Sequence, residues 1–484
     1  METISAENKS SLWVKILKVR DKVESFCVKD YFPFIVALFA FVFHVFGLDI
    51  FGIITFILLS ATTLFVFCDG KPGFVIGIIA VFMVSRKNFP GHGDKDGINY
   101  YVLPQTYIPI ICAVVIFLAV AVVVCIRNRK VYNKASLFVP FLVASIAILI
   151  SGIGQDYYLE GLPYATLFAF SFVGIYLFVL GFMAKTENLL GCLASLASAL
   201  ALLISFQVAF VYVEYLLQGL EFDGYWKNFI HLGWGISNNA GAMLTFCLPF
   251  IMNRVEKGQK FHNVYHVIAI LSVVAIVATL CKAAMIVGIP MFIILWIRAV
   301  VKSPERKKLI LTAIILVAVG LIGFIIVATK VDLSYIFKYF QDAIKSIGDS
   351  LFNSSRNKLL HQAIDFFVES PIVGAGFAKN FHYPIAIVHD SIFHTLTHNF
   401  IFQALGSGGI IGFGAMVYLV ICLVRLFIKK YENKFCILSF VIAFTIISLL
   451  DITYFLTYCV ALFVLVTVAT EKAVADKEKE NEEN

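Results

Sequence analysis

Residues 397–430 read THNFIFQALGSGGIIGFGAMVYLVICLVRLFIKK: a polar Thr397-His398-Asn399 triplet, an uncharged apolar run from Phe400 to Val424, then Arg425, Lys429 and Lys430. A straight crossing of a bilayer needs roughly 20 apolar residues, and cytoplasmic flanks collect Lys and Arg. This stretch therefore predicts a membrane-spanning helix with its histidine at the outer boundary and its basic end inside. The rest of the chain repeats the pattern. With 60% hydrophobic and 14% charged residues among 484, and a mean hydropathy of +0.91, the apolar surface needs lipid to hide in.

Working outward from 400–424, further apolar runs fall at 32–48, 50–68, 73–85, 105–126, 135–154, 163–183, 189–213, 234–252, 264–281, 283–301, 309–329, 435–450 and 452–470. They predict an all-α polytopic bundle of about 12 to 14 transmembrane helices. The run at 73–85 is short for a straight crossing and predicts a broken or re-entrant element. Short connectors alternate in charge. Arg127, Arg129, Lys130 and Lys134, then Arg254, Lys257 and Lys260, then Lys302, Arg306, Lys307 and Lys308, and finally Arg425, Lys429, Lys430 and Lys434 mark the cytoplasmic side. Connectors with Asp156 and Glu160, and from Glu214 to Leu232, mark the outside. The stretch 86–104, with Arg86, Lys87 and Lys95, fits this alternation less well.

The resulting organisation is a cytoplasmic segment 1–31, a transmembrane bundle 32–329, an external segment 330–399, C-terminal spans 400–470 and a tail 471–484. Both termini are expected in the cytoplasm. No small-residue cleavage site precedes the first apolar run, which predicts a retained anchor. The tail is rich in Lys, Glu and Asp and predicts disorder. A formal charge of +7 could suggest nucleic acid, but its Lys and Arg sit in the connectors, so no nucleic-acid partner is expected. Ten cysteines without a CxxC pair read as small buried hydrophobes rather than a disulfide or zinc framework.

The external segment holds half of the ten histidines. Within it, Leu359, Leu360, Ala363, Ile364 and Phe367 recur at helical spacing and predict an amphipathic helix on the membrane surface or on the bundle. Ser370, Pro371, Gly374 and Gly376 of SPIVGAGF end it, either as a simple stop or as a tight turn against backbone or ligand. His382, His389 and His394 follow. The five-residue separation of His389 and His394 could suit a metal, yet no HExxH-like spacing accompanies it, and no metal is expected.

Three side chains suggest chemistry. His398 can exchange protons near neutral pH at the water boundary, although a histidine there can equally cap a helix or anchor a loop. Lys282 is the only charge between His266 and Arg298, and its ammonium can snorkel or face a cleft. Arg356 carries a planar donor fork suited to phosphate oxygens, or serves as an ordinary surface residue. Two cations and one imidazole near the outer leaflet could stabilise a diphosphate leaving group and take a proton from an attacking hydroxyl. No P-loop, dinucleotide fingerprint or kinase set appears.

In order along the chain, Asn238-Asn239-Ala240-Gly241-Ala242, TLCKAA at 279–284, SSR at 354–356, SPIVGAGF at 370–377 and THNFIFQALGSGGIIG at 397–412 resemble the O-antigen ligase and O-antigen polymerase superfamily of bacterial surface polysaccharide assembly. The resemblance is concentrated between about 230 and 425. It implies a GT-C-like glycosyltransferase in the bacterial cytoplasmic membrane, using an undecaprenyl-diphosphate-linked glycan donor and a glycan acceptor, without metal, nucleotide sugar or other cofactor. Membrane lipids and other polysaccharide-assembly proteins are the implied partners. His398 would be the catalytic base or orient the acceptor, and Arg356 would hold the diphosphate. Lys282 stands where the family usually has arginine, keeping the charge but losing the bidentate fork. Asn399, Asn238, Asn239, Gly374 and Gly376 would support the site, Asn399 by orienting the histidine or capping the helix. Gly406, Gly408, Gly409, Gly412 and Gly414 read as small residues that let helices approach closely. Polymerase and ligase both fit, with a lean toward the polymerase because nothing specifies a lipid A-core acceptor. A lipid-linked saccharide transporter or flippase is the non-enzyme alternative, and would predict repeated halves or charges at mid-depth.

Overall fold

The computed structural model describes residues 6–89, 99–219, 230–328, 341, 355–379, 386–388, 391–393 and 396–483. Helices α1 (Ala6–Cys27), α2 (Phe32–Phe46), α3 (Asp49–Val66), α4 (Lys71–Val81), α5 (Pro104–Arg127) and α6 (Phe138–Ile150) lead into α7 (Tyr158–Ala169) and α8 (Ile175–Phe182), joined by a π-helical stretch. Then come α9 (Leu189–Leu217), α10 (Ser237–Glu256), α11 (His262–Ala278), α12 (Lys282–Lys302), α13 (Arg306–Ala328) and α14 (Ser355–Glu369). The chain finishes with α15 (Phe400–Phe427), α16 (Lys434–Leu450) and α17 (Thr457–Glu483). A short antiparallel hairpin, β1 (Ala386–Val388) with β2 (Ser391–Phe393), precedes α15.

The protein is an all-α polytopic membrane protein. Among the described residues, 7 helices are long and apolar enough to cross a membrane, α1 and α2 form a pair bent by 81°, and α4, α6, α11 and α16 are apolar but shorter. The 11 residues of α4 rise only about 16 Å against a hydrocarbon core of about 30 Å, so this element does not cross alone. Helix α9 is central, with 78% of its apolar window buried. Small residues such as Ala194, Ala197 and Ala201 let its neighbours approach closely.

Two sets of contacts orient the helices that matter for the site. Phe246 of α10 meets Phe444 of α16 at 5.0 Å, while Phe250 meets Phe440 at 5.4 Å and the Cys436 thiol reaches the Pro249 carbonyl, so α10 and α16 run antiparallel. In contrast, Gly241 of α10 abuts Ala284 of α12 and Gly288 abuts Thr245, so those two helices run parallel. The starts of α10 and α12 therefore share one end of the bundle with the finish of α16. At the opposite end the basic connectors are tied together by Lys257 to Glu432 and Arg298 to Glu256, both at 2.7 Å, and by Arg254 to Asp30 at 2.9 Å.

Two expectations are corrected. The charged tail is not disordered after Ala469, because α17 continues to Glu483. Glu471 is bound by the Ser136 hydroxyl at 2.5 Å, the Leu137 amide at 3.1 Å and the Tyr176 hydroxyl at 2.9 Å, and Lys429 pairs with Glu478. Lys and Glu are also good helix formers, so low apolar content alone is a poor guide once one turn is anchored. The amphipathic helix exists as α14, but its stripe is rotated: Leu359, Gln362, Ala363 and Phe366 are buried, whereas Ile364 is 41% exposed. It lies on the bundle, with Ala363 against Gly406 of α15. The cysteines divide as well, since Cys68 and Cys112 are exposed.

Candidate active site

His398 stands in the last turn of chain before α15, where Leu396 and Thr397 are buried. Its Nδ1 lies 2.9 Å from Oδ1 of Asp451, with the imidazole side chain 25% exposed and the carboxylate side chain 10% exposed. A carboxylate can only accept, so Nδ1 donates, and in the neutral ring Nε2 is left as the basic nitrogen. Asp451 follows the last residue of α16 in extended conformation, and its Oδ1 also accepts from the Ile452 amide at 2.8 Å. The histidine and its acid thus come from two helix ends 53 residues apart in sequence.

Asn399 holds those ends together. Its Oδ1 accepts from the Ile401 and Phe402 amides at 3.0 and 3.3 Å, capping α15, while its Nδ2 donates to the Leu449 carbonyl at 3.0 Å. Capping satisfies amides that have no partner inside the helix. Here the same side chain also fixes the finish of α16 two residues before Asp451. Of the two roles the resemblance implies for Asn399, capping or orienting the histidine, the hydrogen bonds describe the cap and a tie to α16.

Below the histidine, α15 is broken at Gly409, whose φ of 59° and ψ of −156° lie outside the helical region. In an unbroken helix the amides of Ile410 and Ile411 would donate to the carbonyls of Gly406 and Ser407. Instead SPIVGAGF fills the gap. Ile410 and Ile411 donate to Pro371 and Ile372 at 2.9 and 3.2 Å, while Ala375 and Gly376 donate to Gly406 and Ser407, each at 3.0 Å. Gly374 has φ of +72°, and a Cβ there would collide with the Ser407 carbonyl; Gly376, at φ of +79°, passes Gly152 of the α6–α7 turn. Both glycines are explained by backbone approaching backbone, one of the alternatives the sequence left open.

Lys282 is the first residue of α12 and is half-buried. The three residues before it make a tight turn in which Leu280 has φ of 53°, a left-handed conformation uncommon outside glycine. Gly241 admits this turn, since a Cβ there would lie 2.8 to 3.0 Å from Ala284, Cys281 and Thr279. Asn239 caps the opening of α10 by accepting from the Ile236 amide at 3.0 Å, and the Asn238 carbonyl lies 3.9 Å from the Cys281 sulfur. The segments 238–242 and 279–284 are therefore one packing unit. A chain of rings links it to the histidine: Phe246 to Phe444 and Phe444 to Tyr454 at 5.0 Å, then Tyr454 to Phe400 at 4.8 Å. Lys282, Asn238, Asn239, Asp451 and His398 share one end of the bundle. A cavity of about 580 Å³ lined by Glu187, Lys430, Glu432 and Lys472 opens at the other end and contains none of them.

Arg356 stands in the first turn of α14, but its side chain lies outside the described residues, as do His382, His389 and His394. Two residues that matter to the site were not singled out by sequence. Asp451 is the only charged residue between Lys434 and Glu471, the one local signal that could have drawn attention to it. Gln403 is 1% exposed, and its Oε1 accepts from the Thr397 amide at 2.5 Å.

Residues 267–417 match a family model described as O-antigen ligase. The match supports the O-antigen ligase and polymerase superfamily as the one this chain resembles, and with it a ligase or polymerase type of activity in polysaccharide assembly. It runs from within α11 into α15 and so includes Lys282, Arg356, Gly374, Gly376, His398 and Asn399, whereas Asn238, Asn239 and Asp451 fall outside it. No curated protein matches the chain.

Proposed function

We propose that this protein is a metal-independent membrane glycosyltransferase that extends a surface polysaccharide from an undecaprenyl-diphosphate-linked donor, on the outer face of the bacterial cytoplasmic membrane. The observation that carries this reading is the His398–Asp451 pair at the start of α15, at the same bundle end as Lys282. The acceptor hydroxyl attacks the anomeric carbon of the donor. Its proton passes to Nε2 of His398, and Asp451 stabilises the imidazolium that forms. The bond between that carbon and the diphosphate oxygen breaks, and the electron pair leaves with the lipid diphosphate. Direct displacement of this kind inverts the anomeric centre.

Lys282 and Arg356 hold the leaving group. Lys282 opens a helix whose N-terminal amides already present partial positive charge, so an anion there meets ammonium and helix dipole together. Arg356 supplies the bidentate fork that Lys282 lacks. Basic connectors gathered at the opposite end support a cytoplasmic location for that end and an external one for the site.

The test is glycan transfer by the full chain reconstituted with a lipid-linked oligosaccharide. His398→Ala should lower kcat by about 10²–10⁴, the usual contribution of a positioned base, and Arg356→Ala should strongly lower transfer. Undiminished transfer in both variants would remove this site from the reaction. Products longer by whole repeat units support the polymerase; a single transfer to a chemically different acceptor would assign ligase activity instead.

A further inference from the structure

His398 is flanked by two residues whose backbone is pinned by side chains. Asn399 on its C-terminal side caps α15 and grips Leu449. Thr397 on its N-terminal side donates its amide to Oε1 of Gln403 at 2.5 Å. Gln403 is one turn into α15 and 1% exposed, and its Nε2 donates to the Ser407 hydroxyl at 2.5 Å. Ser407, also 1% exposed, stands two residues before the break at Gly409, and its carbonyl accepts from Gly376 of the inserted SPIVGAGF segment. A continuous path of bonds therefore runs from the inserted segment through Ser407 and Gln403 to the residue preceding the histidine.

We propose that Gln403 is a positioning residue for His398, fixing the Thr397 amide so that the imidazole meets Asp451. This rests on the reading of His398 as the base. A side chain is needed at this place because the chain bends sharply between the buried Leu396 and the helix start, leaving the Thr397 amide inside the protein. An apolar side chain of similar size would leave that donor unpaired. The loop would then shift to find another acceptor. Because Asn399 stays anchored, the displacement falls on His398, and the ring turns away from Asp451. The amide also has both its functions engaged at once, the oxygen accepting and the nitrogen donating, which fixes its rotamer and ties the loop to the interior of α15. Gln403 touches no substrate on this account and acts through His398 alone.

The test is a double-mutant cycle in the reconstituted full chain, with thermal unfolding followed on the same samples. Gln403→Leu should lower kcat by about tenfold to a hundredfold with the donor KM little changed, the effect of a displaced catalytic group rather than of lost binding. Gln403→Glu, which keeps an acceptor for Thr397 and leaves the Ser407 hydroxyl able to donate to it, should recover most of that loss. In an Asp451→Asn background, where alignment with the acid no longer matters, Gln403→Leu should cost little more. Full additivity of the two substitutions, or a Gln403→Leu variant with wild-type kcat, would overturn the proposal. So would a loss of kcat in Gln403→Glu as large as that in Gln403→Leu. If His398→Ala itself retains full activity, the failure lies in the assignment of the base; if His398→Ala is inactive and Gln403→Leu is not, only the positioning role fails.

Discussion

At the residue scale, the difference between a boundary histidine and a candidate base is one carboxylate. His398 could be found from sequence because it sits where polar chain gives way to a membrane-length apolar run. Asp451 could not be given its role in that way, since nothing local to Leu450-Asp451-Ile452 refers to a residue 53 positions earlier. The pairing has a sharp consequence. In Asp451→Asn the amide nitrogen can donate to Nδ1, favouring the ring form with its hydrogen on Nε2, the wrong nitrogen for accepting a proton. Shape is kept while the proposed base is lost. The expected result is a kcat lower by about 10²–10⁴ with the fold intact, read by single-turnover transfer alongside circular dichroism. A wild-type rate in this variant would show that the acid has no part in catalysis.

At the element scale, the glycine-rich face of α15 divides into residues with different duties. Small residues permitting close approach were legible in the sequence; the insertion of SPIVGAGF into a broken helix was not. The break exchanges two helical hydrogen bonds for four between separate segments, with no backbone group among them left unpaired. Gly374 and Gly414 should therefore respond in opposite ways to a methyl group. Gly374→Ala combines a left-handed backbone with a carbonyl collision and should cost at least about 1–2 kcal/mol. A methyl group at Gly414 would meet nothing within 4 Å, and Gly414→Ala should be neutral or stabilising by up to about 1 kcal/mol. Thermal unfolding in detergent or lipid measures both. Equal effects would mean that the inserted segment does not depend on its glycine.

At the scale of the whole molecule, the bundle is closed at its basic end by ion pairs that the positive connectors alone do not predict. Asp30, at the bend between α1 and α2, takes Arg254 at 2.9 Å and Lys71 at 3.8 Å. Burial pushes its carboxyl up, but the Arg254 hydrogen bond and the charges of Arg254 and Lys71 outweigh this and hold it below its usual value. A depressed acid stabilises the fold above its unfolded value near 3.8, and that contribution is lost as pH falls through the lower folded value. Stability should thus decline on acidification below about pH 4, and Asp30→Asn should flatten that part of the profile. Because Asp30 is half-exposed, water screens the pair and the effect should be modest. An unchanged acid limb in Asp30→Asn would assign the decline to other carboxylates.

By itself the sequence determined that this chain lives in lipid, that its elements are helices, and which stretches carry residues able to do chemistry. Those properties follow from composition, run length and local spacing, each readable within one or two turns of helix. Only the tertiary structure decided that Asp451 meets His398, that Gln403 pins the residue before that histidine while Asn399, the residue after it, is tied to α16, and that the charged tail stays helical through Glu471. Hydrogen bonds between distant segments depend on where each helix ends against another, and a periodic apolar pattern carries no record of its eventual neighbour.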